Sequence, residues 1–161
     1  MFSLKKRNQS GFTIVELLIV IVVIGILAAL VVTTYGGIQA KARDSKRQAD
    51  LQALQTQIEA FYATNSYYPS LAEINSTTWR STNMKSLDPT ALTDPSATAG
   101  SVLNASAASS TNTKVYGYVD RHDDGTDCTG TATTPDTDCS DYTLTSWLES
   151  SKTVYTKSAL D

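Results

Sequence analysis

The residue whose chemistry is least expected in its surroundings is Glu16. It lies near the start of an apolar run over residues 12–32, FTIVELLIVIVVIGILAALVV. As a helix this run is about 30 Å long, which is enough to cross the hydrocarbon core of a membrane. An acid at the bilayer centre costs roughly 2.5–3.5 kcal/mol, and less toward the edge. A carboxylate at this position therefore indicates a partner inside the membrane or within an assembly of chains.

The basic residues 5–7 that precede the apolar run leave three interpretations of the segment. They could begin a signal peptide that is cleaved near Ala28, although Glu16 interrupts its apolar region and no A-x-A site follows. The run could instead remain as a plain single-span anchor. In the third interpretation the chain is cut after Gly11, so that the apolar helix stays on the mature protein and Phe12 gains a free α-amine.

The third interpretation resembles a known family, the type IV prepilins and type II secretion pseudopilins. Its members have a basic leader, a glycine before the cut, a hydrophobic first mature residue and a glutamate as the fifth. Gly11, Phe12 and Glu16 occupy those positions here. Because Glu16 follows Phe12 at a spacing of i+4, the two lie on one helix face. The resemblance implies that Glu16 pairs with the Phe12 amine of its own or a neighbouring subunit, which favours one register.

The resemblance implies a structural subunit and not an enzyme. Prepilin peptidase would cleave after Gly11 and N-methylate Phe12, and the subunits would form a homo-oligomeric helical filament with an assembly platform and minor pilins. The precursor would be held in the cytoplasmic membrane by a single span, with its C-terminal domain outside. The assembled chain would then lie in an extracellular pilus for adhesion, motility or DNA uptake. The alternatives are a type II secretion pseudopilin, a minor pilin and a monomeric membrane-anchored binding domain, the last being disfavoured by Glu16.

The polar half of the chain offers little material for catalysis or metal binding. His122 stands beside Asp123 without a nucleophile or a second base, and two cysteines with one histidine do not complete a zinc site. Asp120, Asp123, Asp124 and Asp127 are weak calcium candidates, because their spacing does not match an EF-hand loop. We therefore expect no bound metal and no cofactor.

The two cysteines, Cys128 and Cys139, enclose a short loop rich in Gly, Thr and Asp. The resemblance places this domain in an exported, oxidising compartment, where a disulfide is expected. Many pilins also carry one disulfide near the C-terminus. The bond would contribute about 3 kcal/mol by restricting the unfolded chain. The loop is smaller than in many major pilins, so its equivalence to theirs stays open.

Helical periodicity continues beyond the apolar run and predicts one long helix over about residues 13–63. Residues 12–34 would form its transmembrane or filament-core part, behind a leader over residues 1–11, and residues 35–63 an amphipathic part. The predicted apolar stripe consists of Ile38, Ala42, Ser45, Ala49, Leu51, Leu54, Ile58 and Phe61. The basic cluster over residues 41–47 would lie on the solvated face. Since the net charge is −3 and no aromatic residues interleave the cluster, no nucleic-acid partner is expected.

Residues 64–161 are predicted to form a globular head. Residues 64–113 would be a variable loop with short helical turns, one of them starting at the capping-box spacing of Ser70 and Glu73, and residues 97–113 would be exposed. The region over 114–161 would form a β-sheet from strands at 114–119, 141–148 and 154–157, which are rich in β-branched and aromatic residues. An antiparallel sheet across the long helix would bury Tyr118, Tyr142, Leu144 and Leu148 against it, and it gives an α+β class that resembles the pilin fold.

Overall fold

The computed structural model describes residues 11–98 and 100–160, apart from the side chains of residues 33 and 34. The basic part of the leader lies outside the described residues. The elements in chain order are α1 (Ile14–Asn65), α2 (Leu71–Asn75), α3 (Thr77–Asn83), a short 3-10 helix (Pro89–Leu92), β1 (Tyr116–Arg121), β2 (Asp141–Leu148) and β3 (Thr153–Ser158). The chain divides into two compact units, one up to Ile38 and one from Gln39 onward, which we describe separately. The predicted α+β, pilin-like layout is confirmed.

Helix α1 has 52 residues and ends two residues later than predicted. It ends because Ser66 adopts the left-handed conformation, with φ of 64°, and its N–H donates to the carbonyl of Tyr62 at 2.7 Å. A left-handed residue just after the last helical one is a common way to satisfy the terminal carbonyls of a helix. Pro69 follows three residues later and favours the extended chain that leads into α2.

The buried face of α1 in the second unit differs from the predicted stripe. Its last turns bury Leu51, Leu54, Ile58 and Phe61, as predicted. The earlier members of the stripe are exposed instead, namely Ile38, Ala42, Ser45 and Ala49. In those turns the buried residues are Asp44, Arg47 and Asp50. The expectation that the basic cluster is solvated is therefore wrong for Arg47, whose partners come from distant parts of the chain.

The segment between α1 and the sheet carries more order than an irregular loop. Ser70 caps α2 with a complete capping box: its side chain accepts from the N–H of Glu73, and the Glu73 carboxylate accepts from the N–H of Ser70. Such a reciprocal pair satisfies two of the free donors at a helix start. The prediction that residues 97–113 are exposed is wrong at Leu103 and Ala108, which are 3% exposed.

The sheet has the order β1-β2-β3 with both pairs antiparallel, as predicted. Tyr118 lies opposite Leu144 and Leu144 opposite Lys157. Beyond β1, the backbone of Asn104 pairs with the strand through bonds to Tyr116 and Tyr118. Gly117 permits this close approach, because an added Cβ would lie 2.7 Å from the carbonyl oxygen of Ser106 and 2.4 Å from Thr145 Oγ1.

One apolar core joins α1 to the sheet and the connecting segment. Its members include Leu54, Ile58, Ile74, Met84, Tyr116, Tyr118, Tyr142 and Leu144. Tyr142 and Leu144 were predicted to pack against α1, and both are buried. Leu148, predicted to join them, is only half-buried, since it lies at the end of β2. Burial of such side chains is the main source of stability for a head of this size.

Candidate functional site

The predicted processing and assembly residues lie at the start of α1. Glu16 is in the first turn, and its Oε2 accepts hydrogen bonds from the backbone N–H of Thr13 at 2.8 Å and from Thr13 Oγ1 at 2.7 Å. The N–H of Glu16 donates in turn to Thr13 Oγ1 at 3.2 Å. The glutamate is thus engaged within its own chain before any cleavage takes place.

These bonds form a capping box, in which Thr13 precedes the helix and Glu16 is its third residue. A carboxylate is also favoured at this end by the partial positive charge of the helix N-terminus. Sequence reasoning missed this role of Glu16, although Thr13-Ile-Val-Glu16 has the Ser/Thr-x-x-Glu spacing before an apolar run. The box explains how the chain tolerates a carboxylate in an apolar segment.

Gly11 and Phe12 precede the helix, outside any regular element, and both are exposed. The side chain of Phe12 is 85% exposed. A Cβ added to Gly11 would meet no atom within 4 Å, and Gly11 does not adopt a left-handed backbone conformation. Within the part of the chain that the structure describes, nothing therefore requires glycine at position 11.

The described apolar side chains of the first unit are exposed. Every large apolar side chain between Phe12 and Val32 is at least 48% exposed. Among the described residues, α1 is the one helix long and apolar enough to cross a membrane, and its most apolar window is not buried at all. Because exposed apolar surface of this extent is rare on isolated soluble proteins, the unit needs lipid or other helices around it.

The second unit contains a buried ionic cluster on α1, composed of Asp44, Arg47, Asp94 and Glu149. Arg47 is fully buried and donates to Asp94 through Nε at 2.6 Å and Nη2 at 3.0 Å. It also donates to Asp44 at 2.9 Å and to Glu149 at 2.7 Å. Arg43 forms a second ion pair with Glu149. The cluster joins α1 to the 3-10 segment and to the turn between β2 and β3.

The pKa values of the cluster follow from these contacts. Burial alone would lower the pKa of Arg47, but its bonds to Asp94 and Glu149 outweigh burial and raise it. The hydrogen bond from Arg43 lowers the pKa of Glu149 to about 2, with Arg47 adding to the effect against a smaller cost of burial. Burial raises the pKa of Asp44, yet bonds from Ser150, Glu149 and Arg47 leave it below its usual value. Arg47, Glu149 and Asp44 are therefore charged at neutral pH.

Two further carboxylates on α1 accept hydrogen bonds from buried tyrosines. Tyr116 Oη donates to Asp50 at 2.8 Å, and Tyr142 Oη donates to Glu59 at 2.7 Å. Burial and these neighbouring carboxylates raise the pKa of both phenols, so they remain protonated donors. Each polar group on this helix face has a partner that is remote in sequence, which is why apolar periodicity could not reveal the face.

Among the described residues, the four calcium candidates are not part of the group of His, Cys, Asp and Glu side chains that could hold a metal ion. Asp120 is buried and accepts from the N–H of Leu71 at 3.2 Å, and burial raises its pKa to about 6. Asp124 accepts from the N–H of Thr126, and Asp127 pairs with Arg121 at 3.8 Å. Asp123 is exposed. Asp120 and Asp127 line one small cavity, while Asp124 holds a local turn with Thr126.

Cys128 and Cys139 form a disulfide with a Cα–Cα distance of 5.9 Å. Cys139 is buried against the core, while Cys128 is half-buried. Beside them, His122 Nε2 lies 3.0 Å from Asp136 Oδ2. Sequence reasoning left Asp136 unassigned, and nothing in its local spacing indicated that the fold would bring it to His122.

Comparison with known proteins shows what the N-terminal segment of the chain is similar to. The family model described as the prokaryotic N-terminal methylation motif matches residues 6–32. The type II secretion system core protein G of Aeromonas hydrophila is 42% identical over 67 residues, which are 42% of this chain and 47% of that protein. The protein of the same name from Dickeya chrysanthemi is 42% identical over 65 residues, 40% of this chain and 42% of that protein.

The same core protein G from Vibrio cholerae is 39% identical over 66 residues, 41% of this chain and 45% of that protein. The chain thus spans less than half the length of these curated relatives. No solved structure matches the chain significantly. The motif, the relatives and the helix-plus-sheet layout agree with the resemblance carried by Gly11, Phe12 and Glu16. The N-terminal segment of the chain is therefore similar to that of the type IV pilin and type II secretion pseudopilin family.

Proposed function

We propose that the chain is a structural subunit of a type II secretion pseudopilin filament and has no enzymatic activity. The observation that carries this proposal is the similarity of its N-terminal segment to proteins named type II secretion system core protein G. Its prepilin peptidase would cut after Gly11 and methylate the new amine of Phe12. The precursor would stay inserted in the cytoplasmic membrane until an assembly platform and minor subunits add it to the filament.

The structure supports assembly through the first unit. Its exposed apolar side chains can pack against lipid before assembly and against the helices of other subunits afterwards. Moving the helix from the membrane into the filament would therefore expose little apolar surface to water. Cleavage would place an ammonium on Phe12, one turn before Glu16, where it would compete with the N–H of Thr13 for the carboxylate. A neighbouring subunit's amine would satisfy the same carboxylate in the filament.

Glu16 can act by charge or only by capping, and two substitutions separate these roles. Glu16→Gln removes the charge but keeps an oxygen that accepts from the N–H of Thr13. Thr13→Val removes the capping hydroxyl but keeps the charge. If Glu16 pairs with an amine, Glu16→Gln should insert in the membrane and fail to assemble, while Thr13→Val should assemble. Equal assembly of the Glu16→Gln variant and the wild type would refute the pairing.

Processing is tested by intact mass and N-terminal sequencing of membrane and sheared surface fractions. We expect the chain to begin at a methylated Phe12. Gly11→Val should leave the leader in place, and because position 11 has open space in this chain, the defect would lie in recognition by the peptidase. A mature mass in that variant would disprove cleavage at this site.

A type IV pilus subunit remains the second candidate. The methylation motif supports it equally, because the motif is not specific to pseudopilins. The two candidates differ in what fails when the chain is deleted from its host. A pseudopilin deletion should leave exported enzymes inside the cell and surface pili intact. Loss of sheared surface fibres with normal export would assign the chain to a type IV pilus for adhesion, motility or DNA uptake.

A further inference from the structure

The head brings together four side chains that have the donor atoms of a zinc site. His122, Cys128, Asp136 and Cys139 each offer one ligand atom, and these atoms all lie within 4.8 Å of one another. Among the residues that the structure describes, this is the one group of three or more His, Cys, Asp and Glu side chains whose ligand atoms lie this close together. None of the four aspartates singled out from the sequence as calcium candidates belongs to it.

The oxidation state of the cysteines decides whether this group can bind a metal. The two sulfurs are joined in a disulfide, and only thiolates are strong zinc ligands. We propose that the dithiol form of the chain binds one Zn²⁺ through His122 Nε2, Cys128 Sγ, Asp136 Oδ2 and Cys139 Sγ. The site would alternate with the disulfide, so that the same loop is held either by a covalent bond or by a metal.

The distances fit tetrahedral zinc with small movements. Zinc lies about 2.0–2.2 Å from nitrogen or oxygen and about 2.3 Å from sulfur, so an N···O edge of the tetrahedron is about 3.3 Å. His122 Nε2 and Asp136 Oδ2 already lie 3.0 Å apart. The sulfurs of Cys128 and Cys139 would separate to about 3.8 Å, which rotation about their side-chain bonds can supply.

The backbone keeps the two cysteines close without the disulfide. The N–H of Cys128 donates to the carbonyl of Asp120 at 3.3 Å, and the carbonyl of Cys139 accepts from the N–H of Tyr68 at 2.9 Å. The N–H of Ser140 also donates to the carbonyl of Arg121 at 3.0 Å. These bonds anchor both cysteines to β1 or to the start of the connecting segment, so opening the disulfide leaves the sulfurs near each other.

The second layer of contacts suits a metal site as well. His122 Nδ1 lies 3.0 Å from Thr126 Oγ1, which fixes the ring with Nε2 directed at Asp136. The Asp136 carboxylate accepts from the N–H of Thr129 at 2.9 Å, and this bond holds the pKa of Asp136 below its usual value. Metal-binding histidines and carboxylates are commonly oriented in this way. Two sulfurs, one imidazole and one carboxylate favour zinc over calcium, which prefers oxygen ligands alone.

The redox step is a thiol–disulfide exchange with a cellular dithiol reductant. The S–S bond between Cys128 and Cys139 breaks, two electrons pass from the reductant, and the reductant becomes a disulfide. The two protons of the reductant's thiols pass to the new thiols of Cys128 and Cys139. Zinc then displaces these protons and binds the thiolates, so that metal uptake releases protons to solvent.

The test uses the full chain in detergent, with the wild type in two oxidation states. A phosphine reductant opens the disulfide and becomes a phosphine oxide with oxygen from water, which supplies the two thiol protons, and it leaves no competing thiol. Co²⁺ is added as an optical probe, followed by Zn²⁺ in competition with a chromophoric chelator. We expect the reduced chain to bind one metal with sulfur-to-cobalt charge transfer and tetrahedral d–d bands, and the oxidised chain to show neither.

Substitutions then identify the ligands. Asp136→Asn should weaken Zn²⁺ binding by the reduced chain at least about tenfold, and Thr126→Val, which releases His122, by about 10- to 100-fold. Asp138→Asn is the matched control, since this exposed aspartate of the same loop lies outside the group, and it should bind as the wild type does. Absence of Zn²⁺ binding by the reduced wild type, or equal binding by both oxidation states, would overturn the proposal. Equal loss in Asp136→Asn and Asp138→Asn would do the same.

Discussion

Replacing Arg47 by methionine is the substitution for which the structure predicts the largest loss of head stability. Methionine fills a similar volume on α1 but removes every ion pair of the buried guanidinium. Asp44 would keep its bonds from Ser150 and the N–H of Glu149, and Glu149 would keep Arg43. Asp94 would keep only the N–H of Ser96, although its side chain is fully buried.

The magnitude follows from this uneven distribution of partners. Breaking a buried ion pair from one side typically costs about 3–5 kcal/mol, because it leaves an uncompensated buried charge. That is a large part of the roughly 5–15 kcal/mol that a whole domain possesses. Arg43→Met is the matched control on the same helix. Arg43 is partly exposed, and its ion pair among the described residues is the one with Glu149, so its loss should cost far less than the loss of Arg47.

Urea unfolding of the full chain in detergent, followed by tryptophan fluorescence, measures the effect. Both tryptophans, Trp79 and Trp147, lie in the second unit, so the signal reports on the head and not on the apolar helix. We expect the urea midpoint of Arg47→Met to fall far below that of Arg43→Met. Equal midpoints, or a loss below about 1 kcal/mol for Arg47→Met, would refute the assignment of a buried charge network.

A double variant tests the physical reason. Asp94→Asn removes the charge that Arg47→Met leaves unpaired, while its side-chain oxygen can still accept from the N–H of Ser96. The combination should therefore be more stable than the sum of the two single effects implies, with a coupling of about 0.5–3 kcal/mol. Strict additivity would mean that Arg47 contributes by packing and not by pairing with Asp94.

Three further changes probe the head. The lowered pKa of Glu149 contributes stability at pH values above about 4.3, the ordinary pKa of glutamate, and this contribution is lost as the pH falls toward 2. Glu149→Gln should therefore make the urea midpoint depend less on pH over that interval. An unchanged pH dependence would contradict the pairing. Gly117→Ala should destabilise the head by roughly 1–3 kcal/mol because of its contact with Ser106, whereas Gly36→Ala, which has open space, should not; equal effects would contradict close packing at β1. Cys128→Ser should cost about 3 kcal/mol under oxidising conditions and much less under reducing ones, and an equal cost in both would mean that the disulfide does not stabilise the head.

The outline of the fold was predictable because it depends on patterns that are local in sequence. The strand over residues 141–148 was predicted at its observed bounds, since alternating β-branched and aromatic residues are favoured in strands. The capping box at Ser70 was likewise predicted from its spacing and is present. The first strand begins two residues later than predicted and the third is longer, because pairing with β2 fixes their ends.

The polar interior was not predictable in the same way. Arg47 and Asp50 look like solvated helix residues, and their burial depends on Asp94 and Tyr116, which are remote along the chain. Nor did spacing indicate that Asp136 would reach His122. Local periodicity carries no information on which distant groups will satisfy a buried charge.

The amino-acid sequence by itself indicated the family resemblance and the membrane-length helix, through Gly11, Phe12, Glu16 and the apolar run that follows. These features act through a linear segment of the chain, which lipid and the peptidase would contact directly. The tertiary structure alone decided which face of α1 is buried, which carboxylates keep their charge, and which side chains meet beside the disulfide. The reason is that desolvation and pairing depend on distances between residues that only the folded chain brings together.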